Sequence, residues 1–230
     1  MKTKPTFREE KKLWKKGYEF VIGADEVGRG SFAGPVTIGA VIFEDKAKPC
    51  VECKLGEIND SKLLSHGKRV LLSKEIKKHA LFWNIATVGV SIINKKGIGK
   101  ATKMAFRKAI KSIMYKKNSP YFLLVDGFHI KYLRGIGLKN QKAIIKGDRK
   151  SISIAAASII AKVYRDNLMK KLHKKFPVYS FAENKGYGTK KHQLAIKKYG
   201  LILAHRTSFA LQNLWLPDNS PLHNPKKPFS

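Results

Sequence analysis

Residues 21–36, VIGADEVGRGSFAGPV, join two apolar, β-branched segments through a glycine-rich connection. Such segments on either side of a cluster of turn residues are typical of two β-strands joined by a loop. Asp25 and Glu26 stand side by side at the end of the first segment, directly before the glycine–arginine–glycine turn at 28–30. The stretch therefore predicts a strand that ends at two carboxylates, then a turn and a second strand.

The rest of the chain alternates between apolar and amphipathic segments. Residues 120–127, PYFLLVDG, are nearly all apolar, as expected of a strand buried on both faces, and residues 142–148, KAIIKGD, contain another short strand. Residues 151–175 predict one long helix with an alanine-rich first half. Strands interspersed with helices indicate an α/β fold in which helices flank a mixed central β-sheet.

The chain is strongly basic. It carries 47 lysine and arginine residues against 16 aspartate and glutamate residues, a formal net charge of +31, and its 43% of hydrophobic residues is enough for a folded core. A positive field of this size predicts a nucleic-acid partner, although lysines that merely cover solvated faces would give the same composition. We find neither the apolar core of a signal peptide nor an apolar run of bilayer length, so we expect a cytoplasmic protein without membrane attachment.

Composition divides the chain into three parts. Residues 1–17 are a basic lead with a short helix, residues 18–216 hold the predicted strands and most of the predicted helices, and residues 217–230 are proline-rich and expected to be disordered. Cys50 and Cys53 form a lone CxxC motif. A structural zinc site needs four ligands and no second pair follows, so two reduced surface thiols are the favoured interpretation.

The few acidic residues fall into two groups. Those in polar, lysine-flanked segments are interpreted as solvated surface, namely Glu9, Glu10, Glu44, Asp45, Glu52, Glu57, Glu75 and Asp218. Asp25, Asp126 and Asp148 instead follow apolar runs, at or near the ends of predicted strands, where open α/β sheets place their sites. A salt bridge to lysine would explain any one of them. Together with Glu26 they make four carboxylates, which favours a hard divalent cation such as magnesium or manganese.

The adjacency of Asp25 and Glu26 sets a geometric condition. Neighbouring side chains of a continuous strand point to opposite faces, so we expect both acids to reach one metal cluster only if the chain leaves the strand there. The two glycines at 28 and 30 permit such an exit. Arg29 between them favours an anionic, hydrogen-bonding ligand such as a sugar-phosphate chain.

The motifs ADEVGRGSFAGPV, INDSKLLS, KGIGKATKMAF, LLVDG, KGDRKSISIAAASIIAKVYRD, KGYGTKKH and HRTSF occur in this order. With them the chain resembles ribonuclease HII, the bacterial type 2 ribonuclease H, over about residues 9–210. The resemblance implies a ribonuclease H-like fold with a C-terminal helical extension. It also implies an endonuclease that hydrolyses the RNA strand of RNA–DNA hybrids and nicks 5′ to ribonucleotides in duplex DNA. The products would carry a 3′-hydroxyl and a 5′-phosphate, in ribonucleotide removal and RNA primer processing.

The same resemblance implies roles for individual residues. The metal-binding, catalytic carboxylates would be Asp25, Glu26, Asp126 and Asp148, holding two Mg²⁺ or Mn²⁺ ions at the scissile phosphate. The contacts to the 2′-hydroxyl and the neighbouring phosphate of the ribonucleotide would come from Gly28, Arg29 and Gly30. Tyr187 would stack on the sugar of the following deoxynucleotide. The chain departs from the family pattern at Ser31, where proline is common, and at Asn94.

Four further features have two readings each. Lys62 either neutralises a phosphate or is a surface lysine, and the sequence does not choose between them. Asp166 is interpreted as a helix residue paired with a nearby Lys or Arg rather than a ligand. His192 either orients the substrate loop or has a structural role, and the structural role is the favoured interpretation. Residues 211–216, LQNLWL, faintly resemble a peptide that binds a sliding clamp, but the pattern favours a helix end packed on the core. We expect a monomer.

Two other classes of function compete with this one. A non-catalytic nucleic-acid-binding protein would explain the charge but not four acids at apolar strand ends. Among related metal nucleases, the type 3 ribonuclease H lacks the arginine of the glycine–arginine–glycine turn and carries an extra N-terminal domain, and resolvase-like enzymes would not need the GYGT segment. The nuclease interpretation is therefore favoured.

Overall fold

A five-stranded mixed β-sheet forms the centre of the fold. The computed structural model describes residues 4–45, 55–114 and 119–214. The strands are β1 (Phe20–Val27), β2 (Val36–Ile42), β3 (Phe82–Val88), β4 (Tyr121–Asp126) and β5 (Gln141–Ile144). Their order across the sheet is β3-β2-β1-β4-β5, with antiparallel β3-β2-β1 pairs and parallel β1-β4-β5 pairs. The predicted α/β fold with a mixed sheet is confirmed.

Helices cover both faces of this sheet. They are α1 (Arg8–Trp14), α2 (His66–His79), α3 (Val90–Lys96), α4 (Ile98–Lys111), α5 (Ile152–Lys175), α6 (Phe181–Asn184) and α7 (Lys190–Tyr199). One core cluster joins α4 to β1, β2, β3 and β4, and others join α5 to the opposite face. The helix α6 and the helix α7 pack with the end of α5 in a further apolar cluster, which is the expected C-terminal extension. No helix in the described ranges is long and apolar enough to cross a bilayer.

The long helix α5 lies in direct contact with the two central strands because two glycines give it room. A Cβ atom on Gly23 of β1 would lie 2.2 Å from the carbonyl carbon of Ser153, and one on Gly39 of β2 would lie 2.1 Å from the carbonyl oxygen of Ala157. Real Cβ atoms do not approach backbone atoms this closely. The backbone of the alanine-rich half of α5 therefore packs directly on the backbones of β1 and β2. This contact sets the distance between the polar residues of α5 and the sheet.

The strand β1 does not end at the two acids, contrary to our expectation. Its antiparallel pairing with β2 continues through Asp25 and Glu26, and the last pair is Val27 with Thr37. The parallel pairing of β1 with β4 stops earlier, at Ala24 with Val125. The physical reason is that β2 still holds the β1 backbone on one side after β4 has ended on the other. The turn begins at Gly28, as predicted, after the strand has continued through both acids.

One acid assigned to the solvated surface lies in the interior. Glu10 of α1 is fully buried and accepts hydrogen bonds from the Ser151 hydroxyl and from the Ser153 backbone amide, 2.9 Å away. These donors belong to the first turn of α5, where the helix dipole favours a negative charge. Burial nevertheless raises the pKa of the Glu10 carboxyl, and these hydrogen bonds oppose the rise. The lysine-flanked sequence concealed a helix-capping role.

Several sequence predictions fall outside the described ranges. They concern Cys50, Glu52 and Cys53, residues 215 and 216 of the clamp-like peptide, and the tail at 217–230.

Candidate active site

Asp25 and Asp126 lie at the same end of the sheet because they follow the last paired residues of two neighbouring parallel strands. Asp25 is 6% exposed, its Oδ1 accepts from the Glu26 amide at 2.7 Å, and it is hydrogen-bonded to Ser158 of α5. Burial raises the pKa of the Asp25 carboxyl well above its usual value, and the negative charges of Glu26 and Asp126 raise it further. Asp25 thus lies near two other acidic groups in a position that is shielded from solvent.

Glu26 follows Asp25 on the strand and is half-buried. Its Oε1 lies 3.7 Å from Nη1 of Arg29, which is itself half-exposed. Burial raises the pKa of the Glu26 carboxyl, the Arg29 guanidinium opposes that rise, and the charge of Asp126 adds to it. Asp126 therefore interacts electrostatically with both members of the acidic pair.

Asp148 comes to this end of the sheet from the turn that follows β5. The strand ends at Ile144, and Asp148 sits in a short 3-10 turn, Gly147–Arg149, where it is 6% exposed. The Gly147 amide donates to Oδ1 of Asp126 at 2.8 Å, which joins the turn to the end of β4. Burial raises the pKa of the Asp148 carboxyl, with further contributions from the charges of Asp60 and Asp126.

Asp60 is a site residue that the sequence analysis missed. It is almost fully buried, and its Oδ2 accepts from Nε and Nη2 of Arg149 at 3.0 and 2.9 Å. Its Oδ1 accepts from the Lys62 amide at 2.9 Å. Burial raises the pKa of Asp60, but these hydrogen bonds and cations outweigh it, so that the pKa lies below its usual value. Its position in the INDSKLLS motif, two residues before Lys62, was the available signal.

The donor set suits a hard divalent cation. Asp25, Glu26 and Asp148 have raised pKa values because burial and neighbouring acids disfavour their charged forms, and a bound cation reverses that effect. All their donor atoms are carboxylate oxygens, which favour magnesium or manganese over zinc. Within residues 4–45, 55–114 and 119–214, however, no three His, Cys, Asp or Glu side chains are grouped closely enough to form a metal site by themselves. The chemistry of these residues fits a metal, but they are not drawn together into a cluster.

The glycine–arginine–glycine turn lies next to these acids. Gly28 has a φ of 83°, a conformation that glycine adopts without strain, and Arg29 and Gly30 are exposed. The Arg29 guanidinium is 5.4 Å from the centre of the Phe128 ring. Beneath the turn, Arg206 donates to the carbonyl oxygens of Gly28 and Arg29, both at 2.7 Å. The turn is thus exposed on one side and anchored on the other.

Tyr187 stands on the loop between α6 and α7, and its side chain is accessible, with 38% exposure. The guanidinium carbon of Arg165 lies 5.7 Å from the centre of its ring. His192 is fully buried, and its Nδ1 lies 2.9 Å from the Tyr187 carbonyl oxygen. The structural interpretation of His192 agrees with this arrangement.

The remaining predicted residues have clear positions. Lys62 is exposed. Asp166 is buried and accepts from Nζ of Lys162 at 2.7 Å, which is the helix ion pair that we expected. Ser31 is fully buried, and its hydroxyl finds no hydrogen-bond partner within the described part of the chain. Residues 211–214 form a 3-10 turn, and Leu214 packs against the C-terminal apolar cluster, as the helix-end interpretation requires.

Arg165 and Arg206 were not singled out from the sequence, although each lies in a quoted motif, KVYRD and HRTSF. Both are fully buried, and both donate to backbone carbonyl oxygens around the glycine–arginine–glycine turn. A sequence gives no sign that an arginine is buried, because arginine is mostly a surface residue.

The chain is similar to known proteins in sequence and in fold. The family model described as Ribonuclease HII matches residues 22–212. Ribonuclease HII of Chloroherpeton thalassium is 46% identical over 205 residues, which cover 89% of this chain and 96% of that protein. Ribonuclease HII of Clostridium acetobutylicum is 47% identical over 208 residues, which cover 87% of this chain and 78% of that protein.

Solved structures share the architecture. The ribonuclease H2 of Pyrococcus horikoshii has a TM-score of 0.65 at 26% identity, over 84% of this chain and 97% of that one. A PCNA:RNase HII complex from Archaeoglobus fulgidus has a chain with a TM-score of 0.65 at 26% identity, over 81% of this chain and 93% of that one. A structure of Bst-RNase HIII in complex with Mn²⁺ has a TM-score of 0.65 over 85% of this chain and 68% of that one. Because the two sequences are only 16% identical, this similarity shows a shared fold alone.

Proposed function

Because the chain belongs to the ribonuclease HII family, we propose that it nicks duplex DNA 5′ to embedded ribonucleotides and cuts the RNA strand of RNA–DNA hybrids by metal-assisted hydrolysis. The family makes it a type 2 ribonuclease H, an endonuclease of the hydrolase class. The observation that carries the finer proposal is the pair of Asp25 and Asp126. They directly follow the last residue pair between the parallel strands β1 and β4, beside an exposed, arginine-bearing glycine turn.

Asp25, Glu26, Asp126 and Asp148 would hold Mg²⁺ or Mn²⁺. When bound, two such ions activate water and stabilise the leaving oxygen of a phosphodiester. The protein's own contribution is to hold these carboxylates at one end of the sheet. Ser158 hydrogen-bonds Asp25, and the Gly147 amide holds Asp126 next to the turn that carries Asp148.

The turn at 28–30 would recognise the ribose and its phosphate. The 2′-hydroxyl separates RNA from DNA, and both a hydroxyl group and a phosphate can be bound by amides and a guanidinium. Gly30 is exposed and has open space where a side chain would stand, so a substrate can approach its backbone. Arg29 is oriented by Glu26 on one side and by the Phe128 ring on the other.

Tyr187 would pack against the sugar of the deoxynucleotide that follows the ribonucleotide, which would make cleavage sensitive to an RNA-to-DNA junction. Its accessible ring supports this role, and so do the hydrogen bonds by which the Gly186 carbonyl beside it accepts from the amides of Phe32 and Ala33, just after the glycine turn. Lys62 would contact a phosphate, since its side chain is exposed while its backbone is held by Asp60 beside the acids. The charge of +31 would add sequence-independent, salt-sensitive attraction to the duplex.

We assign catalysis to residues 18–216, place the enzyme in the cytoplasm with its DNA substrate, and assign it to ribonucleotide removal and primer processing as a monomer. A sliding clamp is a proposed partner for residues 211–216, because a relative was solved as a PCNA:RNase HII complex. The packing of Leu214 against the C-terminal apolar cluster argues against a free clamp-binding peptide.

The test uses a labelled DNA duplex with one ribonucleotide, an all-DNA duplex and an RNA–DNA hybrid, each with Mg²⁺, Mn²⁺ or EDTA. We expect metal-dependent cleavage 5′ to the ribonucleotide, cleavage of the hybrid, no cleavage of the all-DNA duplex, and loss of all cleavage in Asp126→Asn. Cleavage of the hybrid alone would refute the junction-sensing role. Tight binding without cleavage of any substrate would refute the catalytic proposal.

A further inference from the structure

Arg165 of α5 is a fully buried cation whose donors all go to backbone carbonyl groups. Its Nε donates to Pro35 O at 3.0 Å, its Nη2 to Ala33 O at 3.1 Å and its Nη1 to Lys185 O at 2.8 Å. Burial lowers the pKa of its guanidinium, and the charge of nearby Asp166 opposes this. A buried charge is costly, so its fixed fork of donors must be matched by good acceptors. Here those acceptors come from two separate segments.

Arg206 is also fully buried, but its side-chain hydrogen bonds all go to one segment. It donates to Gly28 O and Arg29 O at 2.7 Å, and to Gly34 O at 2.9 Å from Nε and 2.8 Å from Nη2. Burial lowers the pKa of its guanidinium to about 9, so it remains charged at neutral pH. Arg206 therefore braces the two ends of the loop at 28–35 against each other.

Arg165 differs because it reaches both proposed substrate-reading segments. It contacts the carbonyls at 33 and 35 on one side and at 185 on the other, and its guanidinium lies 5.7 Å from the Tyr187 ring centre. A Cβ atom on Gly28 would lie 2.0 Å from Nε of Arg165, so the first glycine of the turn packs directly on this guanidinium. Such a contact fixes the distance between the turn and the tyrosine.

A second link joins the same two segments. The carbonyl oxygen of Gly186 accepts from the amides of Phe32 at 2.8 Å and Ala33 at 3.1 Å. A Cβ atom on Gly186 would lie 2.5 Å from the carbonyl oxygen of Ala33. A side chain at 186 would therefore displace the Ala33 carbonyl, to which Arg165 donates, and would be strained at the Gly186 φ of 81°.

We propose that Arg165 is a positioning residue that determines substrate specificity, by holding the glycine–arginine–glycine turn and Tyr187 as one unit. This inference rests on the proposed function. When Arg165 holds both segments, the distance between the turn, which would bind the ribose, and Tyr187, which would bind the following deoxyribose, is fixed. That distance affects cleavage only at an RNA-to-DNA junction. Arg206 supports the turn alone, so it affects every substrate that presents a ribose.

The experiment compares Arg165→Lys with Arg206→Lys, which keep the positive charge but lose the fork of donors. Steady-state kcat/KM is measured on the single-ribonucleotide duplex and on the RNA–DNA hybrid, after wild-type cleavage of both has been established. We expect Arg165→Lys to lower the ratio of the single-ribonucleotide value to the hybrid value by about tenfold. Arg206→Lys should lower both values and leave their ratio unchanged. Thermal unfolding of both variants confirms that they are folded.

Gly186→Ala provides a second test that leaves Arg165 in place, and it decides the matter if Arg165→Lys does not fold. It should reduce the same ratio in the same direction. Equal losses on both substrates in Arg165→Lys and Gly186→Ala would overturn the inference and leave a purely structural role. If the wild-type enzyme cut only the hybrid, the proposed function would fail first, and the inference with it. The failure of the proposed function can be distinguished from that of the Arg165 inference, because it is seen with the wild-type enzyme before any variant is made.

Discussion

The Nε2 atoms of His192 and His205 lie 3.1 Å apart in a fully buried contact. The Ile202 amide donates to Nδ1 of His205 at 2.9 Å, so the proton of a neutral His205 ring is on Nε2. That proton is donated to His192 Nε2, and His192 Nδ1–H then donates to the Tyr187 carbonyl. The chain of hydrogen bonds is satisfied only when both rings are neutral.

Protein stability should therefore fall as the pH decreases below about 6.5. Burial and the neighbouring His192 lower the pKa of His205 to about 3, and burial lowers that of His192. Because both pKa values lie below that of an exposed histidine, the unfolded chain binds protons below about pH 6.5 that the folded chain does not, and the free energy of unfolding decreases toward acid pH.

Urea unfolding at pH 7.5 and pH 5.5 measures this effect. His205→Gln keeps a donor near the Nε2 position and has no titratable group there. We expect the wild type to lose about 1 kcal/mol more between the two pH values than His205→Gln does. Equal losses in the two proteins would contradict the assignment of neutral rings.

Asp25→Asn should stabilise the protein while abolishing cleavage. The raised pKa of Asp25 means that its charged form is unfavourable in the folded state, and the amide removes that charge together with its repulsion from Glu26 and Asp126. We expect the free energy of unfolding to rise by about 1 kcal/mol in metal-free buffer, with at least a ~100-fold loss of kcat.

Added Mg²⁺ distinguishes a metal ligand from a buried carboxylate that is only electrostatically unfavourable. Mg²⁺ should raise the melting temperature of the wild type and raise that of Asp25→Asn by less, because a ligand that binds the folded state stabilises it. Glu183→Gln, which breaks an exposed ion pair with Lys191, is the control and should retain the wild-type response to Mg²⁺. Identical Mg²⁺ responses in Asp25→Asn and the wild type would remove Asp25 from the proposed ligands.

Asp60→Asn should weaken catalysis through the position of Asp148 rather than through folding alone. Asp60 holds Arg149, the neighbour of Asp148, and also the Lys62 backbone. Residues that orient metal ligands typically change affinity or activity by about 10- to 100-fold. We expect the Mg²⁺ concentration for half-maximal cleavage to increase about tenfold. An unchanged Mg²⁺ dependence with lower thermal stability would show that Asp60 acts only on the fold.

Gly39→Ala should be strongly destabilising. Its Cβ atom would lie 2.1 Å from the Ala157 carbonyl oxygen, so α5 would have to move away from β2. Forced overpacking of this kind costs about 1–3 kcal/mol or more. Gly67→Ala in α2 is the matched control, because no atom lies within 4 Å of the added Cβ and alanine favours a helix. Chemical denaturation should show the loss in the first variant and none in the second.

The sequence was most informative where burial and polarity conflict. Asp25 and Asp126 each follow an apolar run, and an acid in that position is recognisable because it costs free energy unless something compensates it. Their common edge of the sheet could be expected, since parallel strands bring their C-terminal ends together. The metal role of these residues remains a prediction.

The sequence was misleading where local composition and tertiary burial disagree. Glu10 lies among lysines, yet it is buried against the start of α5, 141 residues away in sequence at Ser151. The strand β1 runs through Asp25 and Glu26 because β2 continues to pair with it, which no property of residues 21–30 reveals. Such errors come from partners that are distant in the chain.

The sequence by itself determined the mixed α/β sheet, the acids at its strand ends and the glycine–arginine–glycine turn. These follow from local periodicity, from the cost of burying charge and from the conformations open to glycine. Only the tertiary structure decided that Arg165, Arg206 and the His192–His205 pair support the turn and Tyr187. Their roles depend on backbone carbonyls and ring nitrogens of remote segments, and every residue type presents the same carbonyl group. The amino-acid sequence therefore does not indicate which backbone carbonyls a buried arginine will bind.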